Sequence, residues 1–368
     1  MFKKMYRGLV SGIESVPAWL DKVKTTVAED FSIQRKKALY SSVVWTDEQR
    51  REFDAYWQKN YGKKIPDKWH RLYQSVNGQY AIDYVPEKLY TTVIEPYFND
   101  RKYATILQDK SLVETLAKDS GCVVPKTIVV SSGDRLFDEN RKPLSLSDAA
   151  KILSEAKSVV IKPTVGSSSG KGIVFYETLA ELDANDIVSV LKKFGKDYIV
   201  QQKIEQHSAF AAFNPSSVNT IRIITYIVDG TIHHAPLAFR IGRKDKSVDN
   251  IHAGGVAVGV TDSGLLLPEA YLLGYGDNNL RFYQHPDSGL AFAGYKLPSI
   301  PMIIQSAYAV HGKLPHIGIV SWDYTVDSNS NPVLIEANIL GQGIWFPQMI
   351  HGKGAFGDDL PKILEMIK

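Results

Sequence analysis

An α+β chain with a mainly helical amino-terminal lobe is what this sequence predicts, and three observations carry the prediction. The first hundred residues hold aromatic side chains at helical spacing. Beyond them helix-like and strand-like runs alternate, and the second half is dominated by antiparallel hairpins. At 368 residues the chain exceeds one ordinary core, so several lobes are expected. Hydrophobic content of 44%, charged content of 23% and a net charge of +3 with mixed signs describe a globular protein without bulk nucleic-acid binding. The single cysteine, Cys122, excludes an internal disulfide and any multi-cysteine metal centre. It points to a reducing, cytoplasmic compartment, with Cys122 as a small buried residue.

No run approaches the roughly 20 apolar residues needed to span a bilayer. The opening residues also lack the continuous apolar segment and cleavage site of a signal peptide. Phe2, Met5, Leu9, Ile13, Val16 and Leu20 recur at helical spacing beside Lys3, Lys4 and Arg7. Packing on the chain's own domain is the favoured use of this stripe, and a membrane surface is the less favoured one.

Taken in order, WTDEQRREFDAYWQKNYG predicts a helix with Thr46 as N-cap, Gln49 three residues on and Gly62 as its stop. Phe53, Tyr56 and Trp57 share its apolar face. The aromatic residues here and in the following stretch to Asn99 belong to a core, with a sugar-stacking platform as the alternative. A helix over about 104–119, ended by Gly121, leads to the strand KTIVVSS. Helix LSDAAKILSEA leads to strand VVIK, and a helix over about 178–194, ended by Gly195, leads to strand YIVQQKI. NTIRIITYIVDGTIHHAPLAFRIG is a hairpin around Asp229–Gly230, and GGVAVGVTDSGLLL is another. A helix near 300–311 precedes the strands IGIVSWDYTV and PVLIEANI.

The run IKPTVGSSSGKG, Ile161 to Gly172, places a lysine at a strand end and then almost no side chain. It is not the phosphate loop G-x-x-x-x-G-K-[ST]: Gly166 and Gly170 stand one residue too close, and Gly172 follows Lys171. Small residues still let backbone N–H groups and the hydroxyls of Ser167, Ser168 and Ser169 approach phosphate oxygens. Lys171 and Lys162 add compact positive charge, Lys162 for an α- or β-phosphate. The alternative is a surface hairpin with a solvated lysine.

SWDYTVDSNSNPVLIEAN carries a second constellation. A register symmetric about Asn329–Ser330 sets Asp323 opposite Glu336, with Asn338 on the same face. No basic residue of this hairpin lies between the two carboxylates, and hard oxygen donors so placed suit Mg2+. The alternative is a solvent-facing polar edge.

In order and in joint presence, these pieces resemble the ATP-grasp superfamily, and within it the sugar-transfer-associated branch found with polysaccharide biosynthesis. KWHRLYQSVNGQYAIDYVPEKLYTTVIEPYFN, QDKSLVETLAKDSGCVVPKT, SSVNTIRIITYIVDG and FRIGRKDKSVDNIHAGG extend the resemblance over most of the chain. It implies two α+β subdomains clasping ATP behind a helical lobe: residues 1–100 for the lobe, 101–205 for the amino-terminal subdomain with the glycine loop, and 206–368 for the carboxy-terminal subdomain with the metal hairpin. Lys110 would reach the ATP phosphates alongside Lys162, and Gly166 to Gly170 would close over them. Gln202 and the backbone near Ile204 would meet adenine. Asp323, Glu336 and Asn338 would bind two Mg2+, and Gly341 falls where related ligases turn toward the acyl substrate.

The chain departs from its relatives at two points. It has Gln201 and Gln202 where many carry Glu, and Ser321 where many carry a phosphate-binding Arg. Arg222 and Arg240 are candidates for that missing role. An ideal turn at Asp229–Gly230 sets them on opposite faces, and the alternative for each is a strand arginine paired with a surface carboxylate. Asn250, His252 and Gly254, from VDNIHAGG, are expected near the substrate; His233, His234 and His316 lack metal spacing. The implied activity is an ATP-dependent carboxylate–amine ligase acting on a sugar acid, nucleotide-linked or lipid-linked, and an amine. A kinase of the same fold and a non-catalytic ATP-binding module are the alternatives.

Overall fold

The computed structural model describes residues 20–165, 172–177, 179, 182–243, 249, 254–272 and 280–368. The loop from Gly166 to Lys171, Asn250, His252 and the stripe before Leu20 lie outside the described residues. The described chain divides into two compact units: residues 20–98 with 343–368, and residues 99–342. Gly343–Lys368, expected within the carboxy-terminal subdomain, therefore groups with the first unit.

The first unit is helical. Helix Asp47–Tyr61 starts at Thr46, whose hydroxyl accepts from Gln49 N while the Gln49 side chain accepts from Thr46 N, and it stops at Gly62 with φ 78°. Phe53, Trp57, Tyr73, Tyr84 and Tyr90 are fully or almost fully buried, and edge-to-face contacts such as Tyr73 on Tyr84 fill the interior. These aromatic rings are core. Gln348 ties the returning segment to this unit, accepting from Val85 N at 2.7 Å and donating to Val85 O at 3.0 Å.

The second unit holds two antiparallel sheets. The first, in order β3-β2-β1-β6-β4-β5, comprises β1 (Thr127–Ser132), β2 (Arg135–Phe137), β3 (Pro143–Leu144), β4 (Val159–Pro163), β5 (Val174–Tyr176) and β6 (Tyr198–Gln202). Helices Leu146–Ser154 and Ala184–Phe194 bury Ala149, Leu153, Ile187 and Leu191 against Val159, Ile161 and Val200. Alternation along β4 puts Lys162 on the opposite face from Val159 and Ile161. The second helix begins only at Ala184, because Asp183 accepts from Asn185 N and Asp186 N as its N-cap.

The second sheet runs β12-β11-β10-β9-β7-β13-β14, with β8 also paired to β7. Its strands are β7 (Thr220–Val228), β8 (Thr231–His234), β9 (Leu237–Ile241), β10 (Val256–Val260), β11 (Leu266–Leu272), β12 (Leu280–Phe282), β13 (Ile319–Val326) and β14 (Pro332–Asn338). Helix Ile300–His311 covers one face, burying Ile303, Ala307 and Val310 in a core with Ile221, Ile223, Trp322 and Tyr324. Thr220, Arg222, Arg240, Ser321 and Asp323 alternate with those residues and fall on the other face.

Two register changes shape that other face. The β7–β8 hairpin turns at Asp229–Gly230, both at positive φ, and pairs Val228 with Thr231 and Thr225 with His234. Continued without a break, it would set Arg222 opposite Leu237. Instead Ala235 and Pro236 both stand against Ile224, and Arg222 pairs with Ala238 while Thr220 pairs with Arg240. The one-residue shift moves Arg240 onto the face of Arg222, correcting the expectation of opposite faces.

The second change lies between β13 and β14. Their turn centres on Asn329, since Val326 pairs with Pro332 and Tyr324 with Leu334. A bulge between Asp323 and Tyr324 adds one residue on β14, so Asp323 faces Glu336 and Ser321 faces Asn338. The expected pairing of Asp323 with Glu336 is present, through a bulge and not through a turn at Asn329–Ser330.

The single helix expected over about 104–119 is broken. Arg101–Leu107 ends, Asp109 accepts from Ser111 N, a 3-10 turn covers Lys110–Leu112, and a helix resumes at Val113–Ala117. Lys110 N leaves the helical ladder and donates to Thr164 O at 2.9 Å, just past the end of β4. Cys122 is half-buried, not buried, with Ser120 Oγ at 3.3 Å from its sulfur.

Candidate active site

The site builds from the uncovered face of the second sheet. Asp323 sits on β13, next to the edge of the sheet, directly opposite Arg222 of β7 and Glu336 of β14. Arg222 grips it with two bonds of 2.7 Å, Nε to Oδ1 and Nη2 to Oδ2, the fork geometry that makes such pairs strong. Arg240 reaches the same carboxylate through Nη1 at 3.3 and 3.4 Å. Its other donors hold Asp249, Nη2 to Oδ1 at 2.8 Å and Nε to Oδ2 at 3.3 Å. The Thr220 hydroxyl donates to Asp249 Oδ2 as well.

Beyond the Thr220 hydroxyl, the chain Asp249–Arg240–Asp323–Arg222 thus alternates acid and base across buried or nearly buried positions. Burial alone would raise the pKa of Asp323, but Arg222 and Arg240 hold its carboxyl below the usual carboxylate range. Burial works against the charge on Arg240, and Asp249 and Asp323 overcome it to hold the guanidinium well above its ordinary range.

Glu336 has a different partner. Lys110 Nζ stands 3.0 Å from its Oε1, placed there by the broken helix and the bond to Thr164. Lys162, buried on the uncovered side of β4, belongs to the same charge cluster. Burial pushes its ammonium down to about 8; Glu336 opposes that shift and Lys110 adds to it. The two carboxylates, bare of basic neighbours on their own hairpin, are therefore matched by cations from β7, β9 and the Lys110 turn.

Asp323, Glu336 and Asn338 come together on adjacent strands, as their spacing predicts. Ser321 Oγ and Asn338 Nδ2, paired across the strands, are buried without a hydrogen-bond partner among the described residues. Among the described residues no group of three His, Cys, Asp or Glu side chains could hold a metal ion. The donor set is instead two carboxylates and one amide, whose oxygen and nitrogen are exchangeable by rotation. Hard oxygen donors of this kind fit Mg2+, and the four surrounding cations fit a polyphosphate that shares it.

The remaining expected residues are placed as follows. Gln202 ends β6 exposed, its N–H donating to Lys126 O at 2.8 Å, and Ile204 is half-buried. Gln201 is the buried glutamine of the pair: its amide nitrogen donates to Pro125 O at 3.1 Å, and its Oε1 has no partner among the described residues. Gly254 and Gly341 have φ of 93° and 69°, where a side chain would be strained. His234 stands 3.6 Å from Asp262. The role of Asp249 was not readable from the sequence; it follows a run of surface-like charges, and only the folded sheet brings it to Arg240.

A family model described as sugar-transfer associated ATP-grasp matches residues 90–363. The chain belongs to this ATP-grasp family. Both antiparallel sheets lie within the match, so the α+β fold of ATP-grasp type expected from the sequence is the one present. No curated protein matches this ATP-grasp chain.

Among solved structures it is similar to the ADP complex of purK, N5-carboxyaminoimidazole ribonucleotide synthetase, at 14% identity and a TM-score of 0.38, over 64% of this chain and 45% of that one. It is similar to L-amino acid ligase from Bacillus licheniformis at 13% identity and 0.38, over 72% and 49%. A third is VanG D-Ala:D-Ser ligase from Enterococcus faecalis, at 14% and 0.40, over 71% and 60%. The chain spans less than half the length of the first two of these.

Proposed function

We propose that this ATP-grasp chain is an ATP-dependent carboxylate–amine ligase whose acid substrate is a sugar acid of surface polysaccharide biosynthesis. One observation carries the reading: Lys110 and Lys162 stand in one charge cluster with Glu336, on the hairpin that also presents Asp323 and Asn338. In the proposed reaction a substrate carboxylate oxygen takes the terminal phosphoryl group of ATP and ADP leaves. An amine nitrogen then attacks the acyl carbon, loses a proton, and inorganic phosphate departs.

Asp323, Glu336 and Asn338 would hold Mg2+, two ions in this reading, which offsets charge on the phosphoryl oxygens. Lys110 and Lys162 bind phosphate oxygens, with the Gly166 to Lys171 loop as their cover. Gln202 and the backbone near Ile204 bind the base. Arg222 and Arg240 orient the acid and offset its charge while Asp249 fixes the plane of Arg240. Gly341 would turn toward the acyl substrate, with Asn250, His252 and Gly254 as further substrate residues. Positioning and charge neutralisation suffice, and no side chain needs to act as a nucleophile.

The test is product stoichiometry. With Mg-ATP, a panel of uronic acids and a panel of amines, ADP and inorganic phosphate should appear in equal amounts and only when acid and amine are both present. ADP with a phosphorylated sugar and no phosphate would replace the ligase with a kinase.

A further inference from the structure

Residues 20–35 form a helix whose apolar side faces away from the protein. Leu20, Val23, Val27 and Phe31 are 52, 40, 62 and 65% exposed. At about 100° per residue they fall in one sector roughly 80° wide. Thr25, Glu29 and Ile33 point the opposite way and are half-buried or buried. Asp30 is anchored to Lys88 at 2.6 Å, and the Arg35 guanidinium lies 5.9 Å above the Phe31 ring. The first unit thus holds the helix by the side of Thr25, Glu29 and Ile33 and leaves a four-residue apolar stripe outward, which marks a contact surface.

The spacing and the charge point to one occupant. Steps of three, four and four residues make an 11-residue repeat, close to the period of a straight helix, so the stripe winds only slightly around the axis. A second copy meeting it in a left-handed coiled coil would keep a seven-residue period, and that seam would bring Asp30 and Gln34 into contact. A flat surface has no such requirement. The same spacing runs backward in the sequence through Val16, Ile13, Leu9, Met5 and Phe2. Residues 1–37 carry Lys3, Lys4, Arg7, Lys22, Lys24, Arg35, Lys36 and Lys37 against Glu14, Asp21, Glu29 and Asp30, eight basic to four acidic. An apolar stripe beside a basic excess matches lipid headgroups of negative charge.

We propose that this stripe docks the protein on an anionic membrane surface, with Leu20, Val23, Val27 and Phe31 inserted at the headgroup boundary. The test uses the full chain and co-sedimentation with phosphatidylcholine vesicles, with and without phosphatidylglycerol. The wild type should sediment with the phosphatidylglycerol vesicles, and added salt should release it. The double variant Val27→Glu, Phe31→Glu, altered only at exposed positions, should keep the wild-type urea midpoint and bind at least about tenfold more weakly. Failure of the wild type to bind either vesicle would overturn the proposal, as would equal binding by the variant. Light scattering that finds a wild-type dimer and a monomeric variant would also overturn it, by giving the stripe to a second copy.

Discussion

Replacing Asp249 with Ala should destabilise the second unit by about 3 kcal/mol, and the contacts set that figure. The substitution strips Arg240 of its 2.8 Å and 3.3 Å bonds and deprives the Thr220 hydroxyl of its acceptor. Removing one partner of a buried ion pair costs about 3–5 kcal/mol, because the other charge is left buried. Arg240 keeps Asp323, but at 3.3 and 3.4 Å and in competition with the 2.7 Å grip of Arg222, so the low end of that range applies. Asp249→Asn retains an acceptor without the charge and should cost about 1–2 kcal/mol. The assay is urea unfolding in a double-mutant cycle with Arg240→Met, which removes the stranded charge. A coupling of about 2 kcal/mol is expected. A coupling below about 0.5 kcal/mol would refute the claim that Asp249 and Arg240 form one energetic unit.

Three further outcomes concern other residues of the second unit. Lys162→Met should stabilise the protein at neutral pH by up to about 3 kcal/mol and weaken Mg-ATP binding at least tenfold, because a pKa of about 8 against 10.5 marks a charge that the fold disfavours. That penalty is present below pH 8 and fades toward pH 10.5, so calorimetric melts should show the gain shrinking over that window. His311, which pairs with Thr225 Oγ1 and Ile317 O, is pushed down by burial to about 4 from 6.5. Its neutral form favours the fold, so stability should be complete above pH 6.5 and fall by about 3 kcal/mol as pH drops to 4; a His311→Gln variant should flatten that slope in urea titrations. Gly172→Val should lower thermal stability by about 1–2 kcal/mol, since φ is +77° and an added Cβ would lie 3.1 Å from Pro163 Cγ; an unchanged melting temperature would contradict that geometry.

Much of this was legible in the sequence where local rules decide. Thr46, Gln49 and Gly62 mark their helix by capping chemistry alone, and Asp229–Gly230 marks its hairpin by the φ it tolerates. The apposition of Asp323 and Glu336 was legible too, although the symmetric turn used to infer it is offset by one residue and a bulge restores the pair. Bulges carry little sequence signal. Pro236, which has no N–H for a ladder, hints at the break that moves Arg240 to the face of Arg222, but only the strand pairing gives its direction. The Lys110–Glu336 pair depends on a contact between residues more than 200 apart, and the Asp249 clamp on a residue beyond the end of β9 pairing with Arg240. Periodicity cannot supply such contacts. Nor does spacing alone reveal that the apolar side of residues 20–35 faces outward.

Trapping with hydroxylamine tests the central claim most directly. With Mg-ATP and a uronic acid, an acylphosphate formed in the site would yield a hydroxamate in amounts matching the ADP and inorganic phosphate released. The wild type is predicted to do this, and Glu336→Gln to lose at least about a hundredfold in rate while keeping the wild-type urea midpoint. ADP accompanied by a phosphorylated sugar and no hydroxamate, or a Glu336→Gln enzyme of undiminished rate, would contradict the account.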